Sequence, residues 1–182
     1  IAIDLETRDP NLLTKGPGWA TGDGYIIGIA IAVDGWKGYF PIRHDNGSNL
    51  DANRILKWFK KQVSTNSDKI FHNSLYDVGW LKREGIEING SIKDTLIAAP
   101  LLDENRFSYA LNALAKTYLA SKKDEKLLRE AANEWGVDPK GEMWKLPPIY
   151  VGPYAEQDAQ VTLDLWKSLS TEVLKTDLTY TL

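Results

Sequence analysis

The 182-residue sequence contains no cysteine. Disulfide staples, zinc–thiolate sites and cysteine nucleophiles are therefore excluded, and the absence fits a reducing compartment. Histidine is almost as scarce: two residues give little material for a zinc site. No apolar run approaches the roughly 18 residues needed to cross a bilayer, and no signal-peptide pattern is visible. An excess of positive charge is missing too, with 22 Lys and Arg against 25 Asp and Glu, a net charge of −3. A protein that coats duplex DNA regardless of sequence is normally basic, so that function is disfavoured. A localised nucleic-acid site is compatible with the balance if metal ions screen the acids. What is present is ordinary for a globular protein, 43% hydrophobic and 26% charged residues, with length for one well-cored domain. There are no repeats or low-complexity tracts. The chain opens on Ile1, already strand-like, and reads as a piece of a longer protein.

Patterning gives an ordered set of elements. "IAIDLE" reads as a first strand, followed by the Gly/Pro-rich loop "RDPNLLTKGPGWATGDG". "YIIGIAIAVDGWKGYFPI" holds two apolar runs around Asp34-Gly35, a hairpin signal. Ile55, Leu56, Phe59 and Val63 recur with helical spacing in "SNLDANRILKWFKKQV". "DKIFHN" is a short strand and "SLYDVGWLKREG" a helix ending at Gly85. "SIKDTLIAAPLL" is a strand leading into a helix, and "SYALNALAKTYL" is another helix. Residues 121–148 are more polar, partly helical and broken by prolines and glycine, and "PYAEQDAQVTLDLWKSLSTEVLK" forms a long amphipathic helix with Pro153 at its start. Hairpin strands followed by strand–helix alternation predict an α/β fold, a mixed sheet with helices on both faces. Sites in such sheets gather at the carboxyl ends of strands.

Asp4 and Glu6 lie at such an end. Strand side chains alternate, so the two carboxylates share a face about 6–7 Å apart and repel unless a cation sits between them. Asp77 and Asp94 follow other short strands, and Tyr154 and Asp158 are i, i+4 on one helix face. Taken singly, each has a plain structural role: a solvated loop acid, a first-turn acid favoured by the helix dipole, a packing tyrosine. Gathered by one sheet, Asp4, Glu6, Asp77 and Asp158 form an all-oxygen cluster suited to Mg²⁺ or Mn²⁺. Two such ions can clamp both oxygens of a phosphoryl displacement, with Tyr154 orienting the attacking water. Asp94 is read as the cap of its helix, His44 as an exposed loop histidine and His72 as lining the cleft. The lysines of "SKKDEKLLRE" read as a solvated helix face. Trp135 and Trp144 read as core packing, with base stacking the alternative.

"DLET", "HNSLYD" and "YAEQD" resemble the three motifs of the DEDD exonuclease superfamily, and the tyrosine four residues before the last aspartate is that of its DEDDy branch. The order D-x-E, N-x-x-x-D, Y-x-x-x-D spans nearly the whole chain, and the chain is most similar to the 3′–5′ proofreading domains of family A DNA polymerases of bacteria and phages. The resemblance implies an RNase H-like fold with a five-stranded sheet and a single exonuclease domain over 1–182, excised from a polymerase chain. It implies hydrolysis at a single-stranded DNA 3′ end, releasing 5′-mononucleotides in a bacterial or phage-infected cytoplasm, with two Mg²⁺ or Mn²⁺ ions and no membrane. By motif, Asp4, Glu6 and Asp158 hold one metal, Asp4 bridges to a second, and Asp77 supports that second site through water. Tyr154 and Glu6 position the nucleophilic water, and Thr7, His72 and Asn73 lie against the nucleic acid. Relatives often carry an apolar base wedge after the first motif; here Arg8, Asp9 and Pro10 follow, which leaves Leu12 or Leu13 for that role.

Two other readings compete. An RNase D-like exoribonuclease would continue into helical RNA-binding domains rather than a polymerase. A non-catalytic nucleic-acid-binding module would typically have lost one of the acids, and all four stand here with the tyrosine. An RNase H or integrase does not need the Y-x-x-x-D spacing.

Overall fold

The computed structural model describes residues 1–120 and 124–176. Its centre is a five-stranded sheet of order β3-β2-β1-β4-β5, formed by Ala2–Arg8 (β1), Tyr25–Val33 (β2), Trp36–Pro41 (β3), Lys69–Phe71 (β4) and Ile92–Asp94 (β5). β1 and β2 are antiparallel, as are β2 and β3, whereas β1, β4 and β5 run parallel. The hairpin turns at Asp34-Gly35, where Gly35 takes a φ of 79° at no side-chain cost.

Alternation along β1 divides the core. Ile3 and Leu5 point to one face, where they pack with Phe59, Val63, Trp80 and Leu81. Those residues come from the helices α3 (Ala52–Val63) and α4 (Ser74–Arg83), preceded in the chain by the short turns α1 (Leu12–Lys15) and α2 (Gly18–Thr21). Ala2 points to the other face and meets Ala30, Ala32, Ala155, Ala159 and Leu163. The last three belong to the long helix that closes the described chain, α8 (Pro148–Lys175); before it come α5 (Thr95–Leu102), α6 (Leu111–Tyr118) and α7 (Lys126–Trp135). Alanines on both sides let α8 lie close to the sheet, so its polar residues can approach those of β1. Helices on both faces of a mixed sheet agree with the sequence pattern.

Two expectations are corrected. The last helix begins at Pro148, with Pro147 as its cap, and carries Pro153 inside it. Proline suits the first helical position because its missing N–H would be unpaired there anyway, so the Pro147-Pro148 pair starts the helix. Trp135, read as core packing, is 43% exposed at the end of α7. Trp144 is partly buried against the cluster of Ile27, Val151 and Tyr154, with the Arg8 guanidinium 4.9 Å from its ring. Lys126 is exposed and faces Glu130 on α7, while the lysines at 122 and 123 lie outside the described residues. Among the described residues no helix is long and apolar enough to cross a membrane.

Candidate active site

Asp4 and Glu6 stand on the α8 face of β1, opposite Ala30 and Gly28 of β2. The ladder slips between Glu6 and Thr7, an irregularity that ends regular pairing and re-aims side chains at a strand end. α8 brings Tyr154 and Asp158 to the same face, both buried, at 9% and 7% exposure. Burial raises the Tyr154 hydroxyl pKa well above the ordinary 10.0; the charges of Asp158, Glu6 and Asp4 and a hydrogen bond to Asp158 add to it. The hydroxyl therefore stays protonated at any working pH, and three carboxylates bear on it together.

Asp77 arrives from the opposite side of the strand. β4 ends at Phe71, so the Leu5 N–H lies past the last paired residues of β1 and β4, and it donates to Asp77 Oδ1 at 3.0 Å. A carboxylate from α4 thus completes a ladder position that the short strand leaves open. Burial, then the charge of Asp4, raises the Asp77 pKa, against the lowering effect of the Leu5 N–H. Asp4 is the group common to the Asp77 and Tyr154 environments.

The turn that launches α4 is held by Asp94. Its Oδ1 accepts the N–H groups of Asn73 and Leu96 at 3.0 and 2.8 Å, and Oδ2 accepts that of Ser74 at 2.6 Å. The expected cap of α5 is there, and the same carboxylate also fixes Asn73 in a left-handed conformation, φ 71°. Such a conformation costs about 1–3 kcal/mol and persists where the surroundings impose it. His72 Nδ1 meets Thr95 Oγ1 at 2.9 Å. Thr7 lies on the far side, its hydroxyl donating to Tyr76 at 2.8 Å while the Tyr76 hydroxyl donates to Asp9. Asp9 also accepts the Gly18 N–H, which ties down the loop carrying Leu13, 97% exposed, and Leu12, 39% exposed.

The carboxylate set fits a hard divalent cation in kind. In arrangement Asp4, Glu6 and Asp158 share the α8 face of β1 with Asp77 behind the strand, and among the described residues no group of three or more acidic or imidazole side chains is already closed around one point. Sequence reasoning missed the turn-holding role of Asp94, the Tyr76 link between Thr7 and Asp9, and His44. Expected as an exposed loop residue, His44 is 5% exposed, because its ring bonds Tyr39 and the Leu146 carbonyl. The signal available was Tyr39 itself, five residues before His44 on the strand beside the site.

A family model described as "3′–5′ exonuclease", of the kind found in family A DNA polymerases, matches residues 1–174. The chain belongs to this 3′–5′ exonuclease family. It is similar to a DNA-directed DNA polymerase of Pseudomonas phage M6, 40% identical over 98% of this chain and 28% of that protein. It is also similar to DNA polymerase I of Borreliella burgdorferi, 28% identical over 97% of this chain and 18% of that protein. The exonuclease-family chain thus spans well under a third of these relatives' length. Among solved structures, Brucella melitensis NrnC with bound Mg²⁺ has the same fold, with a TM-score of 0.66, 18% identity, and coverage of 99% of this chain and 76% of that one. The family is a divalent-metal-dependent one, and the RNase H-like fold expected from the motifs is the fold observed. The polymerase relatives are closer in sequence than the solved Brucella melitensis NrnC and Trypanosoma brucei RNase D, which sets the RNase D-like reading behind the polymerase one.

Proposed function

We propose that this chain is the proofreading domain of a longer polymerase, acting as one exonuclease unit over 1–182 and hydrolysing the last phosphodiester bond at a single-stranded DNA 3′ end. Water adds to phosphorus, the 3′ oxygen of the preceding nucleotide leaves and takes up a proton, and the terminal residue departs as a 5′-monophosphate. Asp4, Glu6 and Asp158 would hold one divalent ion, and Asp4, with Asp77 behind it, a second. When bound, Mg²⁺ or Mn²⁺ supplies Lewis-acid stabilisation of the charge on the attacking and leaving oxygens.

The chain's own residues orient the water. The Tyr154 hydroxyl donates a hydrogen bond to Asp158 and keeps its proton, which leaves the phenol oxygen to accept a hydrogen bond from one O–H of the water. Glu6 accepts the other. Tyr154 is no general base, because burial and the surrounding carboxylates hold its proton on. Thr7, His72 and Asn73 would border the terminal nucleotide, with exposed Leu13 beside it as the apolar wedge. The setting is the cytoplasm of a bacterium, phage-infected or not.

The observation that supports this reading is the one face between β1 and α8 that carries Asp4 and Glu6 from the strand and buried Tyr154 and Asp158 from the helix. Incubation with 5′-labelled single-stranded DNA and Mg²⁺ or Mn²⁺ should give a ladder shortening one nucleotide at a time, and a chelator should stop it. Faster shortening of a matched RNA would favour the exoribonuclease reading. A chain inert on both with either metal would refute catalysis.

A further inference from the structure

We propose that Tyr39 and His44 form a brace that positions Glu6 against Tyr154. The inference rests on the reading of those two residues as the pair that orients the attacking water.

The brace begins on the sheet. Gly28 is the cross-strand partner of Glu6, and a Cβ placed there would fall 2.0 Å from the Tyr39 hydroxyl and 2.2 Å from Cζ. The absent side chain is therefore the space that the phenol end of Tyr39 fills, beside Glu6. On the other side of the ring is α8, where a Cβ on Gly152 would lie 3.4 Å from Tyr39 Cδ1. Gly152 is two residues before Tyr154. Tyr39 is thus held between two glycines, one opposite Glu6 and one beside Tyr154, and the charges of Glu6 and Asp4 act on its hydroxyl.

The hydroxyl is fixed in direction as well as in place. His44 Nδ1 lies 2.8 Å from the Leu146 carbonyl, which can only accept, so Nδ1 carries the ring proton. Nε2 of the neutral ring is then an acceptor, and the Tyr39 hydroxyl donates to it at 2.6 Å. Burial lowers the His44 pKa, which favours that neutral form. The single hydroxyl proton of Tyr39 is thus committed to His44.

The far end of the brace is the start of α8. Asp45 N–H donates to the Trp144 carbonyl at 2.9 Å and Asn46 Nδ2 to that of Lys145 at 2.8 Å. With His44, three consecutive residues engage three consecutive carbonyls immediately before the Pro147 cap. The spacing between Glu6 on β1 and Tyr154 on α8 is set through this linkage.

The test uses this chain with Tyr39→Phe, which keeps the ring, His44→Asn, and the pair together. On 5′-labelled single-stranded DNA with Mg²⁺, each single variant should lower kcat about 10-fold, the scale for groups that orient metal-site ligands. KM should stay within about twofold, and the double variant should be no slower than the worse single one, as for residues acting as a unit. Mn²⁺ binding by calorimetry should weaken severalfold in parallel. If the chain is active and both variants match it in kcat and Mn²⁺ affinity, the brace is refuted and the exonuclease reading stands. If the losses multiply in the double variant, the two residues do not act as one brace. If the unsubstituted chain cuts nothing yet Tyr39→Phe still weakens Mn²⁺ binding, the brace is supported and the exonuclease reading fails.

Discussion

Gly28→Ala is the sharpest test of how the sheet is built around the site. The new methyl carbon would sit 2.0, 2.2 and 2.5 Å from Tyr39 Oη, Cζ and Cε2, where ordinary contacts are about 3.5–4.0 Å. Relief requires the phenol ring to leave, yet Gly152 bounds its other side and His44 binds its hydroxyl. Overpacking of this kind costs about 1–3 kcal/mol. At roughly 2–4 °C per kcal/mol for a domain of this size, Tm should fall by about 2–12 °C. Thermal unfolding followed by circular dichroism measures it, with Tyr39→Ala and the double variant as controls. The double variant should be less destabilised than the sum of the singles, because removing the ring removes the clash, with a coupling of about 0.5–3 kcal/mol. A Gly28→Ala protein that melts with the parent, or strict additivity with Tyr39→Ala, would refute the packing argument.

Tyr154→Phe should lower kcat by about 10²-fold, the scale of a misplaced reactant, while Mn²⁺ binding by calorimetry changes little. Asp94→Ala removes the acceptor of three backbone N–H groups and should cost about 2–3 kcal/mol in urea unfolding; Asp94→Asn should cost less. Burial lowers the His44 pKa from its ordinary 6.5, so below that pH the unfolded chain takes up a proton that the native ring resists. Stability should therefore fall as the pH drops from 6.5 towards the lowered native value, and the fall between about pH 7.5 and 5.0 should be shallower in His44→Asn. Equal slopes for the two proteins would contradict the burial argument.

Legibility in the sequence followed the range of the forces involved. The β2–β3 hairpin, α3 and the α4 start rest on local periodicity and turn chemistry, and all appear where the pattern places them. The grouping of β1 and α8 was legible through motif order, because Asp4, Glu6, Tyr154 and Asp158 keep fixed local spacings within single elements. His44 was misread because its burial depends on Leu146, 102 residues away, as well as on the nearby Tyr39, and only the second partner lies within local reach. Pro153 misled for a related reason: a proline marks a helix start only if nothing better precedes it, and Pro147-Pro148 does. Asp94 was half legible. Its cap of α5 follows from adjacent residues, whereas its hold on Asn73 and Ser74 needs β4 and β5 paired in parallel. Trp135 shows the converse, an aromatic left exposed at a helix end.

The central claim is that carboxylates on β1 and α8 serve hydrolysis of a DNA 3′ end, and Asp4 is the residue common to the Tyr154 and Asp77 environments. The direct measurement is the single-turnover rate of release of the terminal nucleotide from single-stranded DNA in saturating Mg²⁺, for this chain and for Asp4→Asn. The account predicts a loss of at least about 100-fold, as when a preorganised electrostatic group at a reacting centre is removed, with the variant still folded. A rate within twofold of the parent would contradict it.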